Sequence, residues 1–598
     1  MKILLAAINA KYIHSNLAIY SLKAYADAYL EKALDFAWQQ DMEINLAEYT
    51  INQPFSHILT DIYKKRPGIL CFSCYIWNME YIEALVRELA KLLPSMPIWL
   101  GGPEVSYDAS EVLVRLPQVK GVMKGEGEET FSRLCRIYGE QFYINSQGCA
   151  ENGEGTDRGE DVQDGLRGLR GITYRDANGE IHDNPWREVI ELSKLPFVYR
   201  HVEEFRNKII YYESSRGCPF SCSYCLSSID KQLRFRDLEL VKKELQFFID
   251  SKVPQVKFVD RTFNCKHEHA IAIWRYIAEH DRGITNFHFE VAADLLNDEE
   301  LKLLEGMRPG LVQLEIGVQS TNPDTIREIR RTMDFDRVRS AVSRIKKKGN
   351  IHQHLDLIAG LPFEDINSFA KSFDDVYNLK PEQLQLGFLK VLKGSYMEEQ
   401  KENYGLAYLS RPAYEVLFTR WLSYREVIRL KGIEEMVEVY YNSRQFTHTL
   451  SELEKKYPSP FIMYNKLYEF YDLHGYGGLM HKRSTRYEIL LEYLGEAHPK
   501  EREYFRELLT YDYYLRENAK TRPEFAGEYR IAKEDVRAFY EKEERERNYL
   551  SAYGEYDRNQ MRKMTHLEYF VQLGKCVLFD YKERDVLSQD ARACEVEL

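Results

Sequence analysis

Arg216-Gly217-Cys218-Pro219-Phe220-Ser221-Cys222-Ser223-Tyr224-Cys225 is the stretch whose reading decides the fold. It carries three cysteines at the spacing C-x3-C-x2-C, on a loop that follows an apolar run. A four-iron cluster wants four ligands, usually cysteines, so three thiolates leave one iron open. An open iron can hold a small chelating ligand and pass it one electron. A structural zinc site would need a fourth nitrogen or sulfur donor. The next candidates, Cys265 and His267, lie well downstream. A disulfide is a poorer account of three cysteines so placed.

Bulk properties bound the rest. A chain of 598 residues is too long for one core, so three or more domains are expected. Hydrophobic residues make up 44% and charged residues 29%, ordinary for a globular protein. The 82 Lys+Arg against 94 Asp+Glu give −12, which argues against broad nucleic-acid affinity. The 10 cysteines are scattered, and "MKILLAAINAKYIH" reads as a strand and helix start rather than a signal peptide. A reducing, cytoplasmic location is therefore expected. No apolar run reaches about 18 residues, so no membrane span is expected.

Residues 1–140 alternate apolar runs with amphipathic stretches. Strands are expected at Ile3–Ala7, Glu43–Tyr49, Gly68–Ser73, Ile98–Gly101 and Gly121–Lys124, with helices such as Leu17–Leu30 and Met79–Leu93 between them. That alternation predicts a doubly wound, flavodoxin-like α/β domain with its ligand beyond the strand ends. Residues 141–207 read as a flexible, Gly- and Asp-rich insertion around Cys149, then a hairpin turning at Asn178-Gly179. Residues 208–400 hold six strand signals: Lys208–Glu213, Val256–Asp260, Phe287–Val291, Val312–Gly317, His354–Ala359 and Gln383–Leu389. Helical stretches separate them, one running from Pro323 to Lys348. Six βα units predict a partial (β/α)6 barrel, with chemistry at the carboxyl ends of its strands. The cysteine loop falls at that mouth. Residues 401–598 show helical spacing and no persistent strand pattern, and "LSQDARACEVEL" reads as a frayed terminus.

The stretch "SSRGCPFSCSYC" resembles the radical SAM superfamily, and "EIGVQS" and "AGLP" support it. "LGGPEVSYD" and "KGEGEETF" resemble the cobalamin-binding domain of cobalamin-dependent radical SAM proteins, in the subgroup with a helical C-terminal domain of unassigned function. The resemblance implies a [4Fe-4S] cluster on Cys218, Cys222 and Cys225, with S-adenosylmethionine and cobalamin as further cofactors. It implies that Glu315 and Gln319 contact the ribose and amino-acid portion of S-adenosylmethionine, that Arg331 pairs with its carboxylate, with Arg330 competing, that Tyr224 packs near the adenine, and that Asp260 lies near the methionine amine. It implies that Ser73, Gly101 and Gly102 line the cleft for the nucleotide tail, with Glu104, Gly125 and Glu126 near the corrin or the domain junction. The motif Asp-x-His-x-x-Gly is absent, so no histidine of that motif reaches cobalt. Cys71 and Cys74 read as core residues.

The implied activity is a methyltransferase acting on an unactivated centre, fed by an external one-electron reductant such as a flavodoxin or ferredoxin. Radical rearrangement or cyclisation with both cofactors is the alternative. A tRNA methylthiotransferase fits the acidic balance poorly, and a non-catalytic cobalamin-binding protein would not need the three cysteines. The substrate is not legible.

Overall fold

The computed structural model describes residues 1–32, 42–147, 160–229 and 231–597. Cys149 lies outside the described residues. The chain divides into two compact units. The first comprises Met1–Gly306, Ile326–Met333 and Phe388–Arg420; the second comprises Met307–Thr325, Asp334–Gly387 and Trp421–Leu598.

The first unit opens with five parallel strands: β1 (Lys2–Asn9), β2 (Glu43–Thr50), β3 (Ile69–Ser73), β4 (Ile98–Gly101) and β5 (Gly121–Met123). β1 and β3 are buried on both faces, which is why they read as unbroken apolar runs. On one face Leu4, Ala6 and Ile8 meet Ile82 and Leu85 of the helix Met79–Leu92. On the other, Leu5 and Ala7 meet Ile19 and Ala26 of the helix Leu17–Lys32 and Phe131 of the helix Glu128–Gln147.

Residues 148–159 of the inserted segment lie outside the described residues, and helices flank them. Helix Glu128–Gln147 runs on to Gln147, and a further helix spans Glu160–Arg167. Leu166 and Leu169 are buried in the same core as Phe131. The hairpin forms as expected, as β6 (Ile172–Arg175) and β7 (Ile181–Asp183). β6 pairs antiparallel with β5, so the sheet has seven strands in the order β2-β1-β3-β4-β5-β6-β7.

The barrel strands of this unit follow. β8 (Ile210–Tyr212) leads into the cysteine loop, which a short antiparallel pair closes, β9 (Ser215–Arg216) with β10 (Arg234–Phe235). β11 (Gln255–Phe258) then pairs parallel with β8 and with β12 (Asn286–Val291).

The second unit carries β13 (Val312–Gln319), β14 (His352–Ala359) and β15 (Gln383–Phe388), in the order β15-β14-β13. The single helix expected over 323–348 is two helices, Pro323–Glu328 and Phe335–Lys348. Arg330 leaves the helical region at φ 54°, and Asp334 restarts the helix by accepting from the backbone N–H groups of Asp336 and Arg337.

Helices dominate after residue 421, as expected, but the chain ends in a three-stranded antiparallel sheet of Thr565–Phe570, Lys575–Arg584 and Ala591–Val596. The terminal segment therefore holds a paired strand and is not frayed. Residues 576–581 are buried without a break, so no alternation marked the central strand. Among the described residues no helix is long and apolar enough to cross a membrane.

Gly121 shows how tightly the first sheet is packed. A Cβ there would sit 2.3 Å from the ring of Trp99, itself fully buried. Gly121→Ala is expected to destabilise the first unit by about 1–3 kcal/mol, the usual cost of overpacking, and to lower its midpoint in urea unfolding.

Candidate functional site

The cysteine loop is held from below by one carboxylate. Asp260, just past β11, is fully buried. It accepts from Ser214 N (3.0 Å), Ser214 Oγ (2.6 Å) and Ser215 Oγ (2.7 Å), the residues that launch the loop. Burial pushes its pKa up to about 6, although these three donors pull the other way. His269, pushed down to about 4 by burial, lies with Nε2 3.1 Å from Ser214 Oγ. Gly217 has φ 93°, and a Cβ on it would lie 2.6 Å from the Gln232 carbonyl oxygen, so the turn into Cys218 requires glycine.

Cys218 and Cys222 are buried and Cys225 is partly exposed. Cys218 Sγ lies 3.7 Å from Thr262 Oγ1. Cys225 N donates to Cys222 O (3.2 Å), and Ser223 is clamped on both sides, its N–H donating to Ile329 O (2.9 Å) and its carbonyl accepting from Met397 N (2.8 Å). The break after Glu328 lets Arg331 reach the loop: its Nη1 lies 3.8 Å from Cys222 Sγ and 3.4 Å from Tyr224 Oη. Burial raises the Cys222 thiol and the guanidinium opposes it, favouring thiolate. Arg330 turns outward over the ring of Tyr396, 3.4 Å from its centroid. The donor set suits an iron–sulfur cluster, with three soft sulfurs on one short loop beside a fixed cation.

The same unit contains a cavity of about 740 Å³ beyond the carboxyl ends of β1, β3, β4 and β5. Ser73, Gly101, Gly102, Gly125 and Glu126 line it, together with His14, Tyr211 and Arg261. Its wall is mostly apolar, which suits a large organic cofactor. Glu104 is not among the lining residues. It is buried, accepts from Tyr414 Oη (2.5 Å) and lies 3.2 Å from Lys393 Nζ, so it braces the chain. Gly102 is also structural: at φ 119° a Cβ would meet the Cys74 carbonyl oxygen at 2.4 Å. Cys71 and Cys74 are fully buried, and desolvation raises both thiols, Cys71 to about 12, as core residues should be.

Two links between cavity and cysteine loop escaped the sequence reading. Arg216 Nη2 lies 2.9 Å from Glu128 and 2.8 Å from Glu213, with Nη1 3.5 Å from Glu126. His14 Nδ1 lies 2.5 Å from Tyr211 Oη. The partners of Arg216 are up to 90 residues away, so no local pattern marks the contact.

In the second unit Glu315 lies on β13, paired in register with His354 of β14, and Gly317 pairs with Asp356. Ligand atoms of Glu315, His354 and Asp356 lie within 4.8 Å of one another. Gln319 ends β13 at φ 71°, a conformation costly for glutamine, and its buried Oε1 has no hydrogen-bond partner among the described residues. Ser320 donates to Glu364 (2.6 Å), whose pKa burial raises to about 7.

Separate parts of the chain match three family models. The B12 binding domain family matches residues 3–135, and the Radical SAM superfamily matches 212–376. Residues 402–584 match a protein of unknown function, DUF4080. It is 24% identical over 365 residues to the cobalamin-dependent radical SAM methyltransferase TokK of Streptomyces tokunonensis, covering 58% of this chain and 51% of that one. It is 20% identical over 370 residues to the anaerobic magnesium-protoporphyrin IX monomethyl ester cyclase of Rubrivivax gelatinosus, covering 60% of each. The chain spans about half the length of the curated relatives it matches. The solved cobalamin-dependent S-adenosylmethionine radical enzyme OxsB, with aqua-cobalamin and S-adenosylmethionine bound, shares the fold at a TM-score of 0.53 and 14% identity, covering 86% of this chain and 78% of that one.

Asp260 holds its proton more tightly in the folded chain than the 3.8 of a free aspartate. Its contribution to stability is therefore fully present below about pH 4 and declines as the pH rises through about 6. Urea unfolding at pH 5 and pH 7 should show the native chain losing about 1 kcal/mol relative to Asp260→Asn over that interval.

Proposed function

We propose that this protein is a cobalamin-dependent radical SAM enzyme whose reaction is methyl transfer to an unactivated centre. The observation that carries this reading is the junction at Arg216, which ties a three-cysteine loop to the rim of a cofactor-sized cavity within one unit. When bound, the cluster and the corrinoid would supply reductive cleavage of S-adenosylmethionine and delivery of a methyl group.

The chain's own residues orient and enclose these groups. Cys218, Cys222 and Cys225 would hold the cluster, and Asp260 fixes the loop from beneath. Arg331 sits beside Cys222 and Tyr224, within reach of a carboxylate on the open iron. Tyr224, whose hydroxyl lies 3.4 Å from that guanidinium, would border the adenine. Gln319 offers a buried acceptor to a ribose hydroxyl, and Glu315 lies two pleats earlier on the same strand face. Ser73, Gly101, Gly102, Gly125 and Glu126 would border the corrinoid. The electron would come from a flavodoxin or ferredoxin.

A second reading, ring formation or rearrangement with the same cofactors, is favoured by the likeness to the cyclase. Both readings require the same metals. Anaerobic reconstitution with iron, sulfide and hydroxocobalamin should give about four irons and one cobalt per chain. Cys222→Ala should lose most of the iron and all release of 5'-deoxyadenosine from S-adenosylmethionine under strong reductant, while keeping its cobalt. Iron without cobalt would remove the corrinoid from the reading; neither metal would overturn it. A methylated product separates methyl transfer from cyclisation.

A further inference from the structure

Among the described residues, the cavity assigned to the corrinoid is lined by a single imidazole, that of His14. The sulfur-bearing residues of its wall, Cys71 and Met123, belong to the core of the N-terminal sheet. His14 lies in the connection between β1 and the helix Leu17–Lys32, beyond the carboxyl end of β1. That connection lacks Asp-x-His-x-x-Gly, so spacing did not mark this histidine. Its backbone is tightly held. The His14 N–H donates to the Lys11 carbonyl (3.2 Å), and its carbonyl accepts from Asn9 Nδ2 (3.0 Å). It bridges in parallel to Ile209, just before β8; Ile209 N donates to the Ile13 carbonyl (2.8 Å), and Ser15 Oγ donates to the Ile209 carbonyl (3.0 Å). The ring is fixed as well, with Nδ1 2.5 Å from Tyr211 Oη and the two ring centroids 6.1 Å apart. Nε2 has no hydrogen-bond or ion-pair partner among the described residues. Burial, with the charges of Lys11 and Lys257, holds the imidazole below the usual histidine range, so it is neutral at neutral pH.

We infer that His14 is an axial ligand, through Nε2, to the cobalt of a bound corrinoid. The inference rests on the cofactor reading proposed above. A neutral imidazole nitrogen is a good donor to first-row transition metals. Metal-bound histidines usually donate their other ring N–H to an oxygen, which fixes both the ring and the tautomer. Tyr211 Oη stands in that place. With the proton on Nδ1 and donated to Tyr211, the lone pair is left on Nε2. The phenol stays protonated, since burial raises its pKa to about 12. Because the connection is pinned to Ile209 and the ring to Tyr211, the imidazole is placed before the corrinoid arrives, and ligation costs little conformational freedom. The step assigned to His14 exchanges one donor for another. The Nε2 lone pair enters the axial position of cobalt, the water or nucleotide base held there leaves, and neither a proton nor an electron is transferred.

The test uses the full chain loaded anaerobically with hydroxocobalamin and reduced by one electron to cob(II)alamin. Three samples are compared: native protein, native protein grown on the heavy nitrogen isotope, and His14→Ala grown on the same isotope. The corrinoid is unlabelled throughout. Paramagnetic resonance at low temperature reads the axial donor, because one ordinary nitrogen splits the cobalt lines into triplets and one heavy nitrogen splits them into doublets. A doublet therefore identifies a nitrogen of the protein. The expected result is triplets in native protein, doublets in labelled native protein, and loss of the doublets in labelled His14→Ala with its cobalt retained. Ordinary imidazole added to that variant should bring triplets in their place. Three results would each overturn the inference: unsplit lines in cobalt-loaded native protein, triplets that labelling the protein leaves unchanged, or doublets that survive in His14→Ala. The labelled native protein decides the source of the nitrogen even where His14→Ala does not fold. Failure of the native chain to take up cobalt overturns the cofactor reading and the ligand with it, whereas cobalt uptake without a protein nitrogen overturns His14 alone.

Discussion

The buried carboxylate of Asp260 is the constraint on which the loop depends. Burying a carboxylate is costly unless donors replace the water it leaves. Here one backbone N–H and two hydroxyls do so, all from Ser214 and Ser215. The exchange fixes the path of the chain into Gly217 and Cys218. Three thiolates share a cluster at lower cost if the loop carrying them is held before the metal arrives, since a floppy loop would have to lose its conformational freedom on binding. Asp260 on one side, and the backbone clamps on Ser223 from Ile329 and Met397 on the other, do that holding.

Electrostatics extends this framework outward. Arg216 leaves the same loop and meets Glu128 at the start of a helix packed under the N-terminal sheet. Arg234, at the far end of the loop, meets Glu126 at 2.6 Å. These pairs are mostly shielded from solvent, so removing one partner would strand a charge, a far larger penalty than losing a surface pair. The cavity rim and the cysteine loop are thereby coupled by charge rather than by apolar packing, and polar contacts fix orientation more sharply than apolar ones.

Much of this was legible in the residues. The apolar runs of β1 and β3, the Asn-Gly hairpin, and the strand–helix alternation each rest on a local rule of burial or turn geometry. So does C-x3-C-x2-C, whose meaning follows from ligand counting. The misread elements share a different cause. Helix 323–348 looks continuous because its residues favour helix on both sides of the break. Arg330 at φ 54° and the capping Asp334 interrupt it, and local propensity does not foresee a left-handed arginine. The C-terminal sheet was hidden because its central strand is buried over 576–581, against Tyr514 and Leu515 among others, which erases the alternation that marks a strand.

By itself, then, the sequence determined the class of fold and singled out three cysteines on one short loop, because each follows from periodicity or spacing within a few residues. Only the tertiary structure decided which arginine of Arg330 and Arg331 turns inward, that Asp260 serves the loop, and that Glu104 is held by Tyr414, 310 residues away. Whether a charge is matched depends on distance in space, and distance in space between residues far apart in the chain is set by packing, not by composition or local pattern.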